Sequence, residues 1–272
     1  MIAVSTVAKI LLSIALVTRN RPDLAERCLT SLRAQNVQPY EVIVSDDSDP
    51  AYAARVQIVA ADLGCTYVKG PSRGLYANRN SVALHCRGTH IRTMDDDHVL
   101  LPGHLETCVA ALSVDPRSIW TTGESGFLND QPVGVTKRAY QLGPSGFAQE
   151  VSDPDNNWAI ADGSTIYPSE IFSQGFRMVE QFGFGASYLE FGALLYYHGW
   201  KSRCIPDAVV EHRAVSLSPP DVTSHRFASI CFNRYFRPDR RLLLRYTLPD
   251  WRRWTRLPML FKMARDRWKA EL

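Results

Sequence analysis

His90-Ile91-Arg92-Thr93-Met94-Asp95-Asp96-Asp97-His98 is a short extended run that ends in three consecutive carboxylates, with Leu100-Leu101-Pro102 close behind. Three adjacent anions at a strand end repel one another by several kcal/mol unless water or a cation compensates. Taken alone, the triplet reads as a solvated acidic turn. The other reading is a hard-cation site, where carboxylate oxygens hold Mg²⁺ or Mn²⁺ against substrate phosphates. The rest of the chain decides between them.

Upstream, Ile10 to Val17 is an apolar, β-branched run of the kind buried on both faces in a parallel sheet. Thr18-Arg19-Asn20-Arg21 breaks it. Pro22 then suits a first helical turn, and Leu24, Cys28, Leu29 and Leu32 recur on one helical stripe. Tyr40 to Ser45 is a second strand, ending in Asp46-Asp47-Ser48-Asp49. A helix over 51–63 closes at Gly64, and Cys65 to Val68 is a third strand. Helices over Gly74 to Cys86 and from Pro102 to about Val114 flank the triplet strand, and Ser118 to Thr122 is a further strand. Trp158 to Tyr167 reads as a strand broken at Asp162-Gly163, Leu189 to Gly199 as a helix, and Lys201 to Val210 as a strand leading into Glu211-His212-Arg213.

This alternation predicts an α/β fold with a mostly parallel central sheet flanked by helices, its ligands at the carboxyl ends of the strands. Three strand ends carry polar clusters (Thr18 to Arg21, Asp46 to Asp49, Asp95 to Asp97), so two acidic groups and a basic one converge on one crevice. That convergence favours a nucleoside-diphosphate site. A Rossmann G-x-G-x-x-G is missing after the first strand, and no phosphate-binding G-x-x-x-x-G-K-[ST] exists.

Composition is that of a globular chain, with 45% hydrophobic and 22% charged residues in 272. The apolar N-terminal run from Ile2 is interrupted by Lys9 and is shorter than the roughly 20 residues that span a bilayer, so it reads as a frayed start before a buried strand. Six scattered cysteines without a C-x-x-C pair argue for reduced thiols and a cytoplasmic protein. The net charge of +3 conceals a basic tail: residues 236–272 hold 11 Lys and Arg against 4 Asp and Glu, together with Trp251, Trp254 and Trp268. This tail is either a helix packed on the main domain or an anchor on an anionic membrane surface. No nucleic-acid recognition motif accompanies it.

Four segments together resemble family 2 glycosyltransferases, which have the GT-A fold. Ile14-Ala15-Leu16-Val17-Thr18-Arg19-Asn20-Arg21-Pro22 is similar to their opening strand, and Val42-Ile43-Val44-Ser45-Asp46-Asp47-Ser48-Asp49 to their second. Gly74-Leu75-Tyr76-Ala77-Asn78-Arg79-Asn80 resembles their Arg-Asn helix, and Met94-Asp95-Asp96-Asp97 their D-x-D. The resemblance extends over residues 10 to 235. It implies an inverting, metal-dependent transfer of a sugar from a UDP- or dTDP-type donor to a hydroxyl of a glycan or lipid-linked glycan.

The resemblance also implies roles. Thr18, Arg19, Asn20, Arg21, Asp46, Asp47, Arg79, Asp95 and Asp96 would bind the nucleotide sugar, with Arg79 facing the diphosphate. Asp95, Asp97 and His212, the last in Ala208-Val209-Val210-Glu211-His212, would hold Mn²⁺ or Mg²⁺. Trp158, Asp162 and Tyr188 would meet the acceptor, with Trp158 as a plain core residue the alternative. Residues 10–122 would form the donor half, 123–215 the acceptor and catalytic half, and 216–272 a basic helical extension.

One departure matters. The family's catalytic Asp lies in a Glu-Asp pair about eleven residues before a glycine like Gly199. Here Ser187 and Tyr188 stand in its place. A tyrosine, with an ordinary pKa near 10, is a poor base at neutral pH. Glu190, two residues on, is the expected base; otherwise it is a helix carboxylate or a partner for Arg177 or Arg203. The missing pair also motivates a second expectation, a non-catalytic subunit that binds nucleotide sugar or glycan. A sugar nucleotidyltransferase would need a Gly-rich, Arg-containing loop after the first strand, which this chain lacks.

Overall fold

The computed structural model describes residues 9–134, 139–214, 219–236, 241 and 256–269. Its first half alternates β1 (Leu12–Thr18), α1 (Pro22–Arg33), β2 (Glu41–Asp46), α2 (Pro50–Asp62), β3 (Thr66–Lys69), α3 (Leu75–His85), β4 (His90–Asp95), β5 (His98–Leu100) and α4 (His104–Val114). The second half holds β6 (Ile119–Leu128), the short β7 (Gln131–Pro132), β8 (Gln141–Leu142) and β9 (Ala148–Gln149), then β10 (Thr165–Pro168) and α5 (Ser169–Ser173). It closes with α6 (Ser187–Tyr197), β11 (Ser202–Ala214), α7 (Val222–Phe236) and α8 (Leu257–Lys269).

Every residue of β1 is buried, as a strand sandwiched between helices must be. It pairs in parallel with β2 on one side and β4 on the other, and β2 pairs with β3. The sheet then runs from β4 through β10, β6 and β11 to β5, with antiparallel pairing at β4–β10, β10–β6 and β11–β5. Its pairing is therefore parallel from β3 to β4 and mixed beyond. Helix α1 buries Ala25, Cys28, Leu29 and Leu32 against one face. Burying Leu29 and Leu32 contributes about 1.5–3 kcal/mol each. Gly64 follows α2 at φ 63°, the left-handed conformation that a glycine adopts without strain.

Two elements differ from expectation in ways that shape the site. Strand β6 runs on to Leu128 because β11 pairs along its whole length, and this extension carries Glu124. The strand expected over 158–167 is reduced to β10. Gly163 adopts φ 72° and Ser164 N–H donates to the Ala161 carbonyl, so 161–164 is a turn that projects Asp162 from the sheet.

Behind α6, the apolar face of α7 (Phe227, Ala228, Ile230, Cys231) joins Leu260 and Ala264 of α8 in the same core as Leu189, Phe191 and Leu194. The start of the C-terminal extension is thus an apolar layer of the main domain. Trp251 and Trp254 lie outside the described residues, as do residues 242–255 of the basic tail. Among the described residues no helix is long and apolar enough to cross a membrane.

Candidate functional site

Parallel register sets the strand ends level: Thr18 pairs with Asp46, and Val17 with Asp95. A crevice of about 440 Å³ opens there, lined by Thr18, Arg19, Arg21, Asp47, Asp95, Asp97, Asp162, Phe184 and His212, among others. A second pocket of about 530 Å³ adjoins it beside β2, lined by Arg19, Asp46, Asp47, Tyr67, Lys69 and Ser72.

The triplet splits into three environments. Asp95 accepts from Arg79 at 2.7 and 2.8 Å, and the same guanidinium contacts Asp162. Burial pushes the Asp95 pKa up, and the Arg79 charge more than reverses this, leaving it below the usual carboxylate range. Asp96 is only 1% exposed and takes the Thr18 hydroxyl at 2.6 Å and the Arg21 Nε at 3.1 Å. Its burial outweighs these donors and lifts its pKa to about 7. Asp97 receives Arg21 Nη1 at 3.2 Å on Oδ2, and His212 Nε2 lies 3.5 Å from the same oxygen. Burial raises the Asp97 pKa, but the hydrogen bond and charge of His212, with His98 and Arg21, hold it well below the usual range.

His98 is the residue the sequence did not single out. It faces His212 directly in the β5–β11 register, with ring centroids 5.1 Å apart and edge-to-face. One ligand atom each from Asp97, His98 and His212 lies within 4.8 Å of the others. Asp97 Oδ1 and His98 Nδ1 are both buried with no hydrogen-bond partner among the described residues. Two orphaned donor atoms in a carboxylate–imidazole cluster fit a divalent cation. The clue in the sequence was adjacency: His98 follows the triplet directly, though only strand register shows that it meets His212.

The expected metal set of Asp95, Asp97 and His212 is therefore revised. Arg79 already neutralises Asp95, and His98 takes its place in the cluster. Arg79 itself is 1% exposed, which corrects the expectation that it faces a diphosphate; it braces Asp95 and Asp162 from beneath. Asn20 turns to the neighbouring loop, where its backbone N–H donates to Ser48 Oγ and its side chain exchanges hydrogen bonds with Asp49. Asp96 is held inward by Thr18 and Arg21 and does not line the crevice. Asp46 accepts from Ser48 N–H at 2.8 Å and the Tyr67 hydroxyl at 3.1 Å, at the wall of the second pocket.

On the acceptor side the corrections are larger. Trp158 stacks on Phe236, with centroids 4.6 Å apart, and its indole N–H donates to the Leu142 carbonyl. It packs the core, as the alternative reading had it. Tyr188 packs half-buried against the same core, and burial, with the nearby Glu124 charge, pushes its pKa up to about 12. Glu190 is fully buried. Its Oε1 takes the Arg267 Nε at 2.6 Å and the Tyr235 hydroxyl at 2.7 Å, and it lines neither pocket. A carboxylate sealed and ion-paired in this way does not reach an acceptor hydroxyl, so Glu190 is a structural group here. Of the expected acceptor residues, only Asp162 lines the crevice.

A curled mixed sheet between helices, with an acidic strand-end crevice, defines a GT-A fold. The family model for Glycosyl transferase family 2 matches residues 13–176, more than half of the chain. The chain belongs to glycosyltransferase family 2. It is 32% identical over 103 residues to WcaA of Escherichia coli K12, named as a colanic acid biosynthesis glycosyl transferase, covering 37% of each chain. It is also 32% identical over 101 residues to the uncharacterized MT1568 of Mycobacterium tuberculosis, covering 37% of this chain and 32% of that one. The match thus spans about a third of the length of these relatives.

Among solved structures, GalNAc-T7 with UDP, GalNAc and Mn²⁺ superposes at a TM-score of 0.68 and 14% identity, over 83% of this chain and 48% of that one. Staphylococcus aureus TarS 1–349 with UDP-GlcNAc gives 0.62 and 14%, over 94% and 79%. Glu190 and His212 lie beyond the family-matched stretch.

Proposed function

We propose that the chain is an inverting, metal-dependent glycosyltransferase of hexosyl type. It would transfer a sugar from a UDP- or dTDP-type donor to a hydroxyl of a glycan or lipid-linked glycan. The observation that carries this reading is the orphaned Asp97–His98–His212 cluster in the crevice that continues into the Asp46–Asp47 pocket. Solved neighbours holding UDP with Mn²⁺, and UDP-GlcNAc, support the donor class. A relative named for colanic acid biosynthesis supports a glycan acceptor. The six free thiols suit a reducing, cytoplasmic setting.

Asp46 and Asp47 offer acceptor oxygens to the N–H edge of a base or to ribose hydroxyls. Arg19, exposed at the mouth of both pockets, offers a cation to the phosphates. Mn²⁺ or Mg²⁺ held by Asp97, His98 and His212 would supply the positive charge that stabilises a diphosphate leaving group. With Glu190 withdrawn, Asp162 is the crevice carboxylate outside the triplet and the Asp46–Asp47 pair, and it would receive the acceptor proton. A single displacement inverts the anomeric configuration.

The sealing of Glu190, with Ser187 and Tyr188 at the usual base positions, favours a second reading: a non-catalytic subunit that binds nucleotide sugar or glycan. Turnover separates the two. The enzyme reading expects UDP-sugar cleavage by the wild type with Mn²⁺ and a panel of glycan acceptors, falling about 10²–10⁴-fold in Asp162→Asn. Nucleotide binding with background turnover across the panel would establish the second reading instead.

A further inference from the structure

His212 has two ring nitrogens and two carboxylates to serve. Its Nε2 points towards Asp97 Oδ2 at 3.5 Å, while its Nδ1 is 2.7 Å from Glu124 Oε1. The contact is set by the sheet. β6 and β11 run parallel with Val210 opposite Glu124, so Glu124 and His212 share a face, one pleat apart. The register shifts between Ile205 and Val209, where Pro206-Asp207-Ala208 is inserted into β11. Had β11 run on from Ile205 opposite Thr122 without that shift, Asp207 rather than Val210 would stand opposite Glu124. Antiparallel pairing of β5 to the other edge of β11 places His98 opposite His212. The two edges of one strand thus bring a candidate ligand and a second carboxylate to the same imidazole.

An imidazole that binds a cation through Nε2 must be neutral, with its remaining proton on Nδ1. A carboxylate within hydrogen-bond reach of Nδ1 fixes that tautomer, holds the ring plane and makes the ligating nitrogen more basic. Glu124 stands in that place and is itself part-buried, with 17% of its side chain exposed. We propose that Glu124 is a positioning residue of the crevice's cation site: it accepts the Nδ1–H of His212, so that Nε2 presents its lone pair to a divalent cation shared with Asp97 and His98. The inference rests on the metal reading of the crevice and adds a residue outside the triplet and the terminal histidine.

Two measurements on the full chain test it. In the first, free Mn²⁺ is counted by electron paramagnetic resonance, with UDP present, for the wild type, Glu124→Gln and Glu124→Ala. The expected result is a 10–100-fold weaker Mn²⁺ affinity in Glu124→Ala. Glu124→Gln, which keeps an acceptor oxygen but loses the charge, is expected to fall between. Equal affinities in wild type and Glu124→Ala would overturn the role of Glu124 while leaving the metal site standing. No Mn²⁺ bound by the wild type would overturn both.

The second measurement needs no variant. Nitrogen-15 spectra of the wild type loaded with diamagnetic Zn²⁺ are expected to show His212 protonated at Nδ1 and bare at Nε2. The opposite tautomer would overturn the inference, whatever the variants do.

Discussion

The buried carboxylates at the end of β4 and at the start of α6 have opposite characters. At the strand ends, Asp95, Asp96 and Asp97 share Arg21, Arg79 and His212. A buried oxygen of Asp97 and a buried nitrogen of His98 are left without partners beside an open crevice. At the start of α6, Glu190 is met by Arg267 and Tyr235 and closed off from either pocket. The first cluster has donor atoms to spare for a ligand. The second has a counter-charge supplied by Arg267; its Oε2 is also without a hydrogen-bond partner among the described residues, but Glu190 lines neither pocket. Glu190, the expected base, is instead the peg that fastens α8 to the domain.

The comparison breaks most readily at the peg. Removing one partner of a buried pair leaves an uncompensated charge, so Arg267→Ala is expected to lose about 3–5 kcal/mol of stability. Denaturant melts would measure it. UDP affinity at a temperature where the variant is folded should match the wild type. A variant of wild-type stability that has lost UDP binding would show that the second cluster belongs to the site after all.

A smaller effect sharpens the first cluster. Burial lowers the His212 pKa, but hydrogen bonds to Asp97 and Glu124 reverse this and raise it to about 10. A histidine raised above its ordinary value of about 6.5 contributes stability that is full below that pH. The contribution is lost as pH rises through 10. Metal-free protein in a chelator should therefore keep His212 protonated at pH 7.5, and lose this increment between roughly 6.5 and 10. Proton spectra of the ring give the titration. An ordinary midpoint near 6.5 would mean that the carboxylates around it are not arranged as described.

Much of the first cluster was legible in the chain. Buried strands announce themselves by unbroken apolar runs, and polar residues that end them in a parallel sheet must gather at one edge. Asp162-Gly163 signals a break in its strand, while the place of Asp162 in the site rested on the family resemblance. What escaped the sequence was pairing across long separations. Arg267 lies 77 residues from Glu190, and Arg79 lies 83 from Asp162. Nothing local to a carboxylate reveals which distant cation will neutralise it, and that neutralisation decided the fates of Asp95 and Glu190. Strand register was the other missing quantity: it made His98 and Glu124 neighbours of His212, and on the β6 side it includes a shift at Pro206-Asp207-Ala208.

The central claim is that the strand-end crevice holds a nucleoside diphosphate and a divalent cation together. Calorimetric titration of the full chain with UDP, with and without Mn²⁺, for the wild type and Asp97→Asn, tests it most directly. The expected result is UDP binding that Mn²⁺ strengthens at least tenfold, about 1.4 kcal/mol, in the wild type and not in Asp97→Asn. UDP affinity indifferent to Mn²⁺, or strengthened equally in the variant, would contradict it.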